Sequence, residues 1–135
     1  MKLRLTPDAR RAGRGFAMLE ALVALLICAM GVLGVVGLQS AMTRAQTAAT
    51  LRAEAAFLAQ QLVGEMWAAG AGNLSGYATT SCNTACQDWR ARVAARLPAG
   101  ASTVTVSGTG GVAIEIRWTM AGESQSRYTV ATTIN

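Results

Sequence analysis

Histidine is absent from the 135 residues, and with it the commonest general base and metal ligand. Charge is scarce too: acidic and basic side chains together make up 14% of the chain. The carboxylates that remain form no paired acid/base set at a plausible site. No G-x-x-x-x-G-K-[ST] loop and no G-x-S-x-G turn occurs. Of the three cysteines, only Cys82 and Cys86 lie close in sequence, too few for zinc. The sequence therefore names no catalytic residue, no metal and no cofactor, and the chain reads as a non-enzyme. Aromatic residues are only 5%, and the arginines after residue 38 are scattered without aromatic interleaving, so no direct nucleic-acid contact is expected. Proline occurs twice, never between 16 and 69, so nothing there interrupts a helix.

What is present is apolar surface, and it is unevenly placed. Hydrophobic residues make up 52% of a chain long enough for one small domain. The excess is concentrated between Phe16 and Leu38. That run would rise about 34 Å as a helix, at roughly 1.5 Å per residue, enough to cross a hydrocarbon core of about 30 Å. The net charge of +5 is also local. Residues 1–15 hold Lys2, Arg4, Arg10, Arg11 and Arg14 against Asp8, leaving only +1 for the remainder. A basic segment before an apolar span places the N-terminus in the cytoplasm. Residues after 38 then lie outside the inner membrane, in an oxidising compartment if this is a bacterial envelope. Cys28 falls within the span, while Cys82 and Cys86 lie outside it and could pair.

The apolar run carries one acid, Glu20, five residues in. A secretory signal has a shorter apolar core followed by an A-x-A-like site; here "QSAMTRAQ" follows. A plain signal anchor suits the length but has no use for a carboxylate. An ionisable residue within a span is a functional candidate by default. Gly15 precedes Phe16, and glycine lets a chain lie extended in a tight cleft. Cleavage between them would free an α-amine, protonated at neutral pH, about 6 Å along the helix axis from Glu20.

"RGFAMLEALVALLICAMG" resembles the class III signal of type IV prepilins: a basic leader, a glycine, an aromatic residue, then an apolar helix with glutamate at its fifth position. The resemblance implies cleavage after Gly15 by a membrane prepilin peptidase, methylation of the new amine on Phe16, and an assembly salt bridge from Glu20 to that amine. Ala17 departs mildly from the small hydroxylated residue usual after the aromatic.

From Gln39 to Ala69 helix formers dominate. Leu51, Ala55, Leu58, Leu62 and Met66 make an apolar stripe, with Arg52, Glu54, Gln61 and Glu65 off it. One long helix is expected, half in lipid and half on a domain, ending near "AAGAG" at 68–72. Gly31, Gly34 and Gly37 weaken its lipid half. Close helix packing explains them; the resemblance adds local melting of the helix within a filament, and both readings stay open. Residues 70–83 read as loop. A short helix from about 84 should place Cys86, Trp89, Val93 and Leu97 on one face, with Pro98 and Gly100 ending it. Three strands follow: "STVTVSG", then "VAIEIRWT" with Val112, Ile114, Ile116 and Trp118 alternating, then "RYTVATTI".

The expected class is thus α+β: a long N-terminal helix, transmembrane in one half and amphipathic in the other, packed on a small C-terminal antiparallel sheet, an outline similar to the pilin fold. The expected divisions are a leader at 1–15, a membrane or filament-core helix at 16–38, its amphipathic continuation at 39–69 and a globular head at 70–135. "GVLGVVGLQ", "LAQQLVGEMWA", "DWRARVAARLPAG" and "VAIEIRWT" narrow the resemblance to the type IV pilus modification proteins, the PilV-type minor pilins. It implies a bacterial inner-membrane precursor with a periplasmic head, later part of a surface pilus serving twitching motility, adhesion or DNA uptake. The implied partners are the prepilin peptidase, other minor pilins, the major pilin, the inner-membrane assembly platform and membrane lipid. Minor pseudopilins of type II secretion systems share the signal and layout and are the alternative. A membrane-anchored binding domain that never assembles is the reading from a different class.

Overall fold

The computed structural model describes residues 14–135. The leader expected over 1–15 lies outside them, apart from the backbone of Arg14 and Gly15, which opens the first helix. In chain order the elements are α1 (Arg14–Ala69), a 3-10 helix (Ala71–Tyr77), α2 (Thr84–Arg96), β1 (Ala101–Val106), β2 (Gly111–Trp118) and β3 (Ser126–Thr133). The class is α+β: a long apolar N-terminal helix followed by a small three-stranded antiparallel sheet.

Two compact units divide the chain at Arg44 and Ala45. The described part of the first is helical throughout, with no buried side chain from Phe16 to Arg44. Its apolar stretch is long enough to cross a membrane, with a mean hydropathy of 2.7 over the most apolar window and none of that window buried. The core helix of a soluble protein can match such composition, but it would be mostly buried.

The second unit, from Ala45, holds the core. Its segment of α1 buries Ala55, Leu58, Ala59, Leu62 and Met66, spaced at three and four residues as a single helical face requires. Leu51, at the start of the expected stripe, is half-buried. α2 adds Cys86, Trp89 and Val93, with Leu97 just beyond it. β2 contributes Val112, Ile114, Ile116 and Trp118, every second residue, so one face of the sheet is buried. Each of the large aliphatic side chains here stabilises the fold by roughly 1.5–3 kcal/mol relative to exposure.

The sheet order is β1-β2-β3, with both pairings antiparallel. Ile114 lies opposite Val104 on one side and Val130 on the other. The segment expected as loop, 70–83, is more ordered than its composition suggests. Leu74 and Tyr77 are both buried, and three residues is one turn of a 3-10 helix, which puts them on one side.

Candidate functional site

The segment singled out in the sequence lies at the start of α1. Phe16 and Glu20 are both exposed and, four residues apart on a helix, share a face. The side chains around Glu20 on the helix are apolar and open: Phe16 is 81% exposed, Leu19 61% and Val23 49%. Glu20 makes no hydrogen bond or ion pair among the described residues. The structure thus places a single carboxylate on an exposed apolar helix with no counter-charge among the described residues. Gly15 and Phe16 are consecutive helical residues.

Further along the same segment, Gly31, Gly34 and Gly37 lie within unbroken helix. A Cβ at any of them would meet nothing within 4 Å. Nothing among the described residues requires glycine there. What small residues on an exposed apolar helix permit is close approach by another helix.

The second unit is fastened by polar contacts as well as its core. The Trp89 indole N–H donates to the Leu58 carbonyl at 2.8 Å, buried, tying α2 to α1. Arg92 and Arg96 of α2 bridge to Glu65 and Glu54 of α1 at 2.9 and 2.8 Å. These pairs are between a third and a half exposed, so each is worth only about 0.2–1 kcal/mol. Asn83 caps α2, its side-chain oxygen accepting from the Cys86 N–H at 2.9 Å. Cys82 and Cys86 are joined by a disulfide, their Cα atoms 5.3 Å apart, while Cys28 is a free, exposed thiol.

Gly15, Phe16 and Glu20 lie along one stretch of α1, and Cys82 and Cys86 form a local staple in the second unit. Among the described residues no three Cys, Asp or Glu side chains gather where they could hold a metal ion. Sequence reasoning missed a groove between α2 and β1, lined by Arg90, Ser102 and Arg117 among others. One signal could have flagged it: Ser102 is a polar residue at an inward position of β1, in phase with buried Val104. Comparison with protein-family models, curated proteins and solved structures finds no match for this chain.

Proposed function

We propose that this chain is a minor subunit of a type IV pilus, made as an inner-membrane precursor and cut between Gly15 and Phe16. Its processed helix then docks among those of other pilins through the Glu20 carboxylate. The finer reading of the α+β architecture as a pilin fold belongs to this proposal.

The observation that carries it is Glu20 itself, without a partner among the described residues and on an exposed apolar helix. A carboxylate in hydrocarbon needs a counter-charge or must escape to the interface. The sequence restricts what the counter-charge can be. Lys2 is the only lysine, and after Arg14 the next basic residue is Arg44, about 36 Å up the helix at 1.5 Å per residue. Once residues 1–15 are gone, the only cation that this chain or another copy of it offers near Glu20 is the Phe16 α-amine. The glycines at 31, 34 and 37, required by nothing among the described residues, support a helix surface meant for other helices.

The test follows from the same composition. Purified from cells with an active prepilin peptidase, the chain should lack residues 1–15 and carry a methyl group on Phe16, read by intact-mass analysis. A processed chain has no lysine, so an amine-reactive reagent should modify Phe16 and nothing else. A full-length, unmethylated protein in such cells would overturn the proposal and leave a plain membrane-anchored domain. Co-purification with other pilus subunits supports the pilus reading; co-purification with a secretion apparatus would instead assign the chain to the related pseudopilins.

A further inference from the structure

The edge of the sheet at β1 leaves polar groups without partners, and it does so beside two arginines. At Val104 the edge is closed: the Thr79 N–H donates to the Val104 carbonyl at 2.9 Å, and the Thr79 hydroxyl accepts from the Val104 N–H at 2.7 Å. The main-chain groups of Val104 thus point away from β2. In an antiparallel pair every second residue points the same way, so the N–H and carbonyl of Ser102 also face outward. Among the described residues none caps them. Ser102 is 7% exposed, and its buried hydroxyl has no hydrogen-bond partner among those residues. A bound group that supplied a partner would relieve the cost of leaving that hydroxyl unpaired.

Ser102 lines a groove of about 590 Å³ between α2 and β1. Arg90 on α2 and Arg117 on β2 line it, and no carboxylate does. Arg90 is exposed and makes no ion pair among the described residues. Arg117 is held only by long contacts: its Nε lies 3.5 Å from Glu115 Oε1 without forming a hydrogen bond, and its Nη2 donates to the Thr103 hydroxyl at 3.5 Å. On the α2 side, Ala91 and Ala94 leave room for another main chain.

We infer that this groove takes an extended peptide segment carrying a carboxylate, supplied by another protein. The segment's main chain pairs with Ser102 as an added strand, and its carboxylate is held by the guanidiniums of Arg90 and Arg117. A free carboxylate ion satisfies only half of the site. It would take the guanidiniums and the Ser102 N–H, but it offers no donor to the Ser102 carbonyl; inorganic phosphate, whose P–OH can donate, is the stricter competitor. A peptide supplies both a donor and an acceptor at that point. Thr79 blocks the edge at Val104, so the paired stretch is short, about two or three residues at roughly 3.3 Å each.

The full chain in nonionic detergent micelles, labelled with 15N, tests this against three probes: an acetylated, amidated Thr-Glu-Thr tripeptide, its Thr-Gln-Thr counterpart and inorganic phosphate. The glutamate peptide should shift the amide resonances of Ser102 and Arg90 saturably, and the glutamine peptide should bind at least tenfold more weakly. R90Q combined with R117Q should lose at least tenfold in affinity while the Trp89 indole resonance stays in place, reporting an intact core. Ser102→Ala, which keeps the main-chain pairing, should weaken binding by about threefold to tenfold. Absence of a saturable shift with the glutamate peptide overturns the inference. So does phosphate binding as tightly at the same amides, which would make the groove an anion site with no strand.

Discussion

Glu20 concentrates the functional argument in one side chain. On α1 it is surrounded by exposed apolar residues and meets no cation among the described residues. If its role is to pair with the Phe16 amine of its own chain or of a neighbour, it matters after insertion and cleavage. Glu20→Ala should therefore be inserted, cut and methylated normally yet co-purify poorly with the other pilins. Glu20→Asp, shorter by one methylene, should recover part of the loss. Mass spectrometry reports the first property and co-purification from membranes the second; undiminished recruitment of Glu20→Ala would make the carboxylate incidental. On the proposed reading, Gly15 acts at the earlier step of cleavage. A β-branched side chain there obstructs a cleft that needs bare backbone, so Gly15→Val should accumulate as full-length precursor in the membrane, visible as a slower band. Processing at the normal rate would place the cleavage site elsewhere.

At the scale of elements, the turn after α2 departs from its best sequence. The Gly100 N–H donates to the Leu97 carbonyl at 2.9 Å, closing a four-residue turn over Pro98 and Ala99. Ala99 has φ of 51°, the left-handed value that the third position of a type II turn requires and that glycine adopts most cheaply. Ala99→Gly should therefore stabilise the fold by about 0.5–1 kcal/mol, the strain relieved outweighing the extra entropy of the unfolded chain; thermal unfolding measures it. The disulfide at the other end of α2 closes a very short loop, so its reduction should cost only about 2 kcal/mol. Alkylation of the unfolded, unreduced protein should label Cys28 alone, and Cys82 and Cys86 only after reduction.

These elements also show what the sequence discloses and what it hides. The period-2 run from Val112 to Trp118 and the stripe from Ala55 to Met66 were legible because burial on one face imposes those spacings. The 3-10 helix at Ala71–Tyr77 was not, because it is built from glycine, serine and asparagine, and only Leu74 and Tyr77 reveal its buried side. Phe16 and Glu20 could be read because a carboxylate in an apolar run needs a reason. The Ser102 groove could not, because it exists only where α2 passes a sheet edge, and neither Arg90 nor Arg117 is unusual in its local sequence.

At the scale of the whole molecule, the buried residues among those described all lie in one unit. Each buried hydrophobic residue described, from Ala55 to Ile134, lies after Ala45. So do the disulfide, the Trp89–Leu58 hydrogen bond and both bridges from α2 to α1. All the residues of that core, and those packed against it, lie between Leu51 and Ile134. A chain beginning at Ala45 should fold on its own and stay in solution without detergent. The cost falls at the new N-terminus, where the first turns of α1 lose their preceding helix and fray, but the buried face begins only at Leu51 and is well inside that end. Exposed Phe57 and Trp67 remain on the surface, at 56% and 51%; scattered singly, such residues are tolerated by soluble domains. The expected result is a cooperative thermal transition within a few degrees of that of the full chain in micelles, followed by near-ultraviolet circular dichroism of the buried tryptophans. A truncated chain that is molten, or that needs detergent to stay folded, would show that the second unit depends on the apolar helix.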